Sequence, residues 1–175
     1  MYKPLSFILV LLAFLACNEA NTKQDKISED LGKTTYYLIR HAEKDRSDPS
    51  NKNPKLTQEG LKRAQNWARY FEKVAIDQVF STNYMRTMQT AAPTASQKRL
   101  IVQSYHQDSL YDAGFKQATM GSSTLVVGHS DTTPRFVNAV IGADTYTDID
   151  DKQNGLLYVI TLGKGTKNVE VIEVH

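Results

Sequence analysis

Short β-branched and aromatic runs alternate along this chain with stretches of helical periodicity, and that alternation constrains the fold most. Thr34–Ile39 (TTYYLI) is too short and β-branched for a helix and reads as a strand. Thr57 then serves as an N-cap, with Leu61, Ala64, Ala68 and Phe71 on one stripe of a helix running to about Val74. Ile76–Ser81 is the next strand. Tyr84–Gln97 is helical in composition, with Pro93 expected to kink or end it. Further strands are expected at Leu100–Tyr105, Thr124–Gly128, Leu156–Leu162 and Val169–Val174, and helices near Phe115–Met120 and Pro134–Ile141. This order predicts an α/β fold, a three-layer α/β/α arrangement whose mostly parallel sheet is covered on both faces. Ligands of such sheets bind beyond the carboxyl ends of the strands.

The first 33 residues stand outside the pattern. Lys3 precedes an apolar run of 12 residues, Leu5–Ala16. A membrane-spanning helix needs about 20, so the run fits a secretory signal better. It ends Leu15-Ala16-Cys17, which resembles a bacterial lipoprotein signal whose cysteine is acylated and becomes the mature N-terminus; a plain signal peptide with a chance cysteine is the alternative. Asn18–Lys33 is polar, charged and nearly free of large apolar residues, the composition of a flexible tether. The expected organisation is a signal peptide over 1–16, a lipidated N-terminus and tether over 17–33, and one domain over 34–175. The protein would then be extracytoplasmic, periplasmic or at the cell surface, and would meet the membrane through its lipid anchor only.

Composition narrows the function classes. Hydrophobic residues at 41% and charged residues at 23% exclude wholesale disorder. One cysteine excludes a disulfide framework and a Cys-rich zinc site, and a Cys17 lost to the leader also excludes a cysteine nucleophile. Lys+Arg 21 against Asp+Glu 19 gives a net charge of +2, with the basic residues scattered. No footprint for nucleic acid results.

The strand ends carry the chemistry. The first strand runs into Arg40-His41, TLVVG runs into His129-Ser130, and Ser81-Thr82 leads after a short gap to Arg86 at a helix start. Each feature alone is an ordinary surface turn; two arginines and two histidines on one sheet edge are not. Arginine forks match phosphate oxygens and keep their charge. A neutral imidazole is a competent nucleophile near pH 7. Phosphoryl transfer asks mainly for positioning and for stabilised charge on the equatorial oxygens. The set suits a phosphohistidine intermediate with no metal and no other cofactor.

Four segments resemble the histidine phosphatase, or phosphoglycerate mutase-like, superfamily. They are LIRHAEK (Leu38–Lys44), LTQEGLKRA (Leu56–Ala64), STNYMRTMQTA (Ser81–Ala91, with Asn83 where proline is usual) and LVVGHSDTTP (Leu125–Pro134). The resemblance implies a phosphoglycerate mutase-like fold with His41 as the phosphorylated nucleophile. Arg40, Arg86 and His129 would bind the phosphoryl group. The other ring nitrogen of His41 should donate to a backbone carbonyl. An acid between the second arginine and the second histidine is implied too; Asp112 in Leu110-Tyr111-Asp112 is preferred over Asp108, and some small members lack one.

Arg86 and His129 are 43 positions apart, with no room for the insertion that caps the site in the mutases. The chain therefore more closely resembles the small SixA-type phosphatases. The expected substrate is an extracytoplasmic phosphate monoester, on a phosphorylated small molecule or an envelope glycan. A catalytically weak phosphate-binding pseudoenzyme is an alternative. Gly128–Thr132 also resembles an α/β-hydrolase nucleophile elbow with Ser130 as nucleophile, but Thr132 crowds the second glycine position and only His175 follows. Asp148–Asp151 lacks the glycine and glutamate of a calcium loop and reads as a solvated acidic turn.

Overall fold

The structure is a computed structural model describing residues 32–175. The expected leader, Cys17 and nearly all of the tether lie outside the described residues. Six strands and four helices follow: β1 (Thr34–Arg40), α1 (Gln58–Tyr70), β2 (Gln78–Ser81), α2 (Met85–Lys98), β3 (Val102–Ser104), α3 (Ala113–Thr119), β4 (Ser123–Gly128), α4 (Thr132–Ile141), β5 (Leu156–Gly163) and β6 (Thr166–Glu173). A 3-10 turn, Phe71–Lys73, extends α1.

One sheet has the order β3-β2-β4-β1-β5-β6. The first four strands of that order are mutually parallel, and β5 and β6 close one side as an antiparallel hairpin. Lys164 and Gly165 both adopt positive φ at the hairpin turn, as a two-residue turn of the primed type requires. Alternation along the strands sorts the core into two layers. Tyr36, Leu38, Val126, Tyr158 and Ile160 pack with Phe115 of α3 and Phe136, Val137 and Val140 of α4. Ile39, Leu125, Val127 and Leu157 pack with Trp67 of α1 and Ala91 and Ala95 of α2. The expected three-layer α/β/α fold is what forms. No helix among the described residues is long and apolar enough to cross a membrane.

Two local expectations need correction. Helix α2 runs through Pro93 to Lys98. Proline removes one N–H from the ladder, at a cost of about 3 kcal/mol, but the buried Thr90, Ala91, Thr94 and Ala95 hold both halves against the core. The strand expected at Leu100–Tyr105 shrinks to three residues because its start belongs to the helix cap. Arg99 is left-handed at φ 58°, and Leu100 donates its N–H to Ala95 O at 2.8 Å.

Strand order also places the chemistry. In β2-β4-β1 the register sets Ser81 beside Val127 and Arg40 beside Gly128. The three carboxyl ends therefore reach one edge together, where His41 donates its N–H to Gly128 O at 2.9 Å.

Candidate active site

His41 is 4% exposed, directly after the last residue of β1. Its Nδ1–H donates to Ala42 O at 2.7 Å. A carbonyl can only accept, so the proton is on Nδ1 and the lone pair is on Nε2. Burial, then the charges of Arg40, His129 and Arg86, pull the imidazole down to about 3 against the opposing bond to Ala42. His41 is thus a neutral imidazole of fixed tautomer.

His129 follows β4, its ring centroid 5.6 Å from that of His41. Its Nε2 lies 2.9 Å from Thr82 Oγ1, whose own hydrogen goes to Thr87 Oγ1 at 3.0 Å. Nε2 is therefore the donor, and Nδ1 accepts from Arg86 Nη2 at 3.4 Å. Burial and the Arg86 charge lower its pKa to about 4, with Asp131 opposing.

The two arginines are held differently. Arg40, the last residue of β1, is 2% exposed; its Nη1 donates to Asp150 O at 2.8 Å and its Nη2 to Asp151 Oδ1 at 2.6 Å. Its Nε is buried without a partner. Arg86 sits in the first turn of α2, its guanidinium 4.3 Å from the ring centroid of Tyr84. Tyr84 also meets His129 edge-on at 5.2 Å. Thr90 ties this turn to the residue after His41, accepting from Ala42 N at 3.0 Å and donating to Arg86 O at 2.7 Å. Both Nε and Nη1 of Arg86 are buried without partners.

Three buried guanidinium nitrogens thus lack acceptors around one neutral imidazole. Leaving such donors unmet is costly, and an anion with several oxygens meets them.

The model of the histidine phosphatase superfamily (branch 1) matches residues 36–118. The chain carries a histidine phosphatase superfamily domain. The solved structures agree on the fold. It is similar to a putative SixA phosphohistidine phosphatase from Agrobacterium tumefaciens, with 17% identity, a TM-score of 0.61, and 81% of this chain and 99% of that one covered. A putative alpha-ribazole-5'-P phosphatase from Escherichia coli K-12 gives 17% identity and a TM-score of 0.61 over 81% of this chain and 96% of that one. A phosphoglycerate mutase from Bacillus anthracis gives 13% and 0.64 over 83% and 95%. No curated protein sequence matches.

Arg40, His41, Arg86 and His129 are brought together at one sheet edge. Asp112 is given other work: it is the N-cap of α3, and its Oδ1 accepts the Phe115 N–H at 2.8 Å. Among the described residues no contact carries it to either histidine. Asp108 lies on an exposed turn beside His106. The carboxylate whose charge acts on Arg86 and His129 is Asp131. Among the described residues no hydrogen bond joins Ser130 to a histidine: His129 faces Thr82 and Arg86, His106 lies by Asp108, and His175 lies against α1.

Several positioning residues went unread in the sequence. The Asp148–Asp151 segment is not only a solvated turn, because it holds Arg40, and Asp151 also pairs with Arg46 at 3.1 Å. The two Arg40 contacts span 110 and 111 positions and leave no local signal. Tyr84 left one: it stands two residues before Arg86 inside the STNYMRTMQTA segment.

Proposed function

We propose that this histidine phosphatase hydrolyses phosphate monoesters without a metal ion, through a phosphohistidine on His41, outside the cytoplasm. The observation that carries the reading is the set of unpartnered donors, Arg40 Nε with Arg86 Nε and Nη1, buried beside a neutral nucleophile. These donors would take the non-bridging oxygens as charge gathers there. His41 Nε2 attacks phosphorus while Nδ1–H stays on Ala42 O, so the developing imidazolium keeps its orientation. Arg86 Nη2 holds the His129 ring through Nδ1, and Thr82 holds the other nitrogen. Water then attacks the phosphohistidine, the P–N bond breaks, and inorganic phosphate leaves.

Between Arg86 and His129 the chain has room only for the rest of α2, β3, α3 and β4. That brevity supports an uncapped site, open to a phosphate on a small molecule or an envelope glycan. A lipid on Cys17 would keep the domain at a bacterial membrane.

Rapid quench with a labelled monoester tests the intermediate. An acid-labile, base-stable phosphoenzyme is expected in the presence of EDTA, and His41→Ala should eliminate it. A label that persists in His41→Ala, or that needs an added divalent ion, would overturn the reading.

A further inference from the structure

Lys44 stands three residues beyond the nucleophile, where its backbone is held by an antiparallel bridge to Leu56. The Leu56 N–H in turn donates to the Gln89 side chain at 2.8 Å. The nearby acids are engaged elsewhere. Asp45 Oδ1 accepts from Ser47 N, Asp48 Oδ1 accepts from Ser50 N and Oγ, and Asp151 serves Arg40 and Arg46. The half-buried Lys44 ammonium therefore makes no hydrogen bond or ion pair within the described residues. It faces two ways. Its charge bears on Arg40, Arg86 and His129, and it lines a cavity of ≈ 250 Å³ with Arg46, Asp48, Pro49 and Asn51.

We propose that Lys44 is the proton donor to the leaving group, with the cavity beside it as the place that group occupies. The proposal rests on the phosphohistidine reading above. As the His41 Nε2–P bond forms, the ester P–O bond breaks and its electron pair stays on oxygen. An Nζ proton of Lys44 passes to that oxygen, and the alcohol departs. The neutral amine then takes a proton from the water that attacks phosphorus. The P–N electron pair returns to Nε2, and the ammonium is restored.

The surroundings suit the role. Burial, then the charges of Arg46, Arg86 and Arg40, lower the proton affinity of Lys44 against Asp151 alone. An acid whose pKa moves toward working pH is the better catalyst. Asp131, beside Arg86 and His129, is the rival donor.

Turnover of para-nitrophenyl phosphate and of glycerol 2-phosphate separates these roles in the full chain and in Lys44→Met, Lys44→Arg and Asp131→Asn. The aryl ester leaves without a proton; the alkyl ester does not. Lys44→Met should lose roughly 10²–10⁴ on the alkyl ester and about tenfold or less on the aryl one. Lys44→Arg keeps the charge but holds its proton too tightly to deliver it, so it should behave like Lys44→Met. The basic limb of the wild-type kcat profile on the alkyl ester should vanish in both. Equal losses on the two esters, rescue by arginine, or the same split in Asp131→Asn would overturn the proposal. So would a wild type active on the aryl ester alone, which would have no donor. A wild type that turns over neither ester and traps no phosphoenzyme would instead fail the phosphohistidine reading, and the proposal with it.

Discussion

At the residue scale, two histidines are kept neutral by burial, and that has a cost in acid. An unfolded histidine titrates near 6.5, whereas His41 falls to about 3 and His129 to about 4 in the folded chain. Between those limits the unfolded chain binds protons that the folded chain refuses, so stability rises with pH. The contribution is full above about pH 6.5 and is lost as pH falls toward 3 to 4. Each histidine adds a slope on the order of 1.4 kcal/mol per pH unit inside its window. Urea unfolding of His129→Gln from pH 7 to pH 4.5 should show a flatter slope, by about one proton, than the wild type. Equal slopes would mean that His129 is solvated in the folded protein.

At the scale of elements, the motif glycine shows why a helix start belongs to the site. A Cβ on Gly60 would lie 2.3 Å from the backbone oxygen of Glu43. That oxygen already accepts from Thr57 N at 2.8 Å and Thr57 Oγ1 at 3.2 Å. The cap of α1 is thus docked on the loop that leaves His41, and only a bare glycine permits the approach. Gly60→Ala should cost about 1–3 kcal/mol in chemical denaturation and lower kcat as that loop shifts. Gly163→Ala has nothing within 4 Å of the added carbon and should be close to neutral. Similar effects at both sites would refute the packing argument. The same distinction explains what the sequence made legible. Strands, helices and the four residues at strand ends are written in local periodicity and in short motifs, so they were readable. Asp151 on Arg40, Tyr84 between Arg86 and His129, and the N-cap role of Asp112 depend on where loops return in space. Asp112 reads as an acid in the sequence, and its cap role is hidden there, because a cap and an acid share one residue type and one loop.

At the scale of the molecule, the parallel strands give the domain two ends with different work. Arg40, His41, Thr82 and His129 lie at the carboxyl ends of β1, β2 and β4 or just beyond them, while the chain enters at Thr34, the opposite end of β1. An anchor at Cys17 would therefore hold the domain by the end away from its chemistry. Extended, the 17 residues from Cys17 to Lys33 would span at most ~60 Å, enough to let the domain reach substrates standing off the bilayer. One acyl chain binds membranes only marginally, so stable attachment would need the several chains of a bacterial lipoprotein. Cys17→Ser should lose acyl labelling and leave the membrane fraction. Its turnover of a soluble ester should match the wild type, since Cys17 lies outside the catalytic domain in sequence. Its turnover of a phosphorylated glycan held on the same membrane should fall, because the local concentration supplied by the tether is gone. A Cys17→Ser protein that still fractionates with membranes would rule out the lipid anchor. One that is released yet keeps full activity on the membrane-bound glycan would show that anchoring does not serve substrate access.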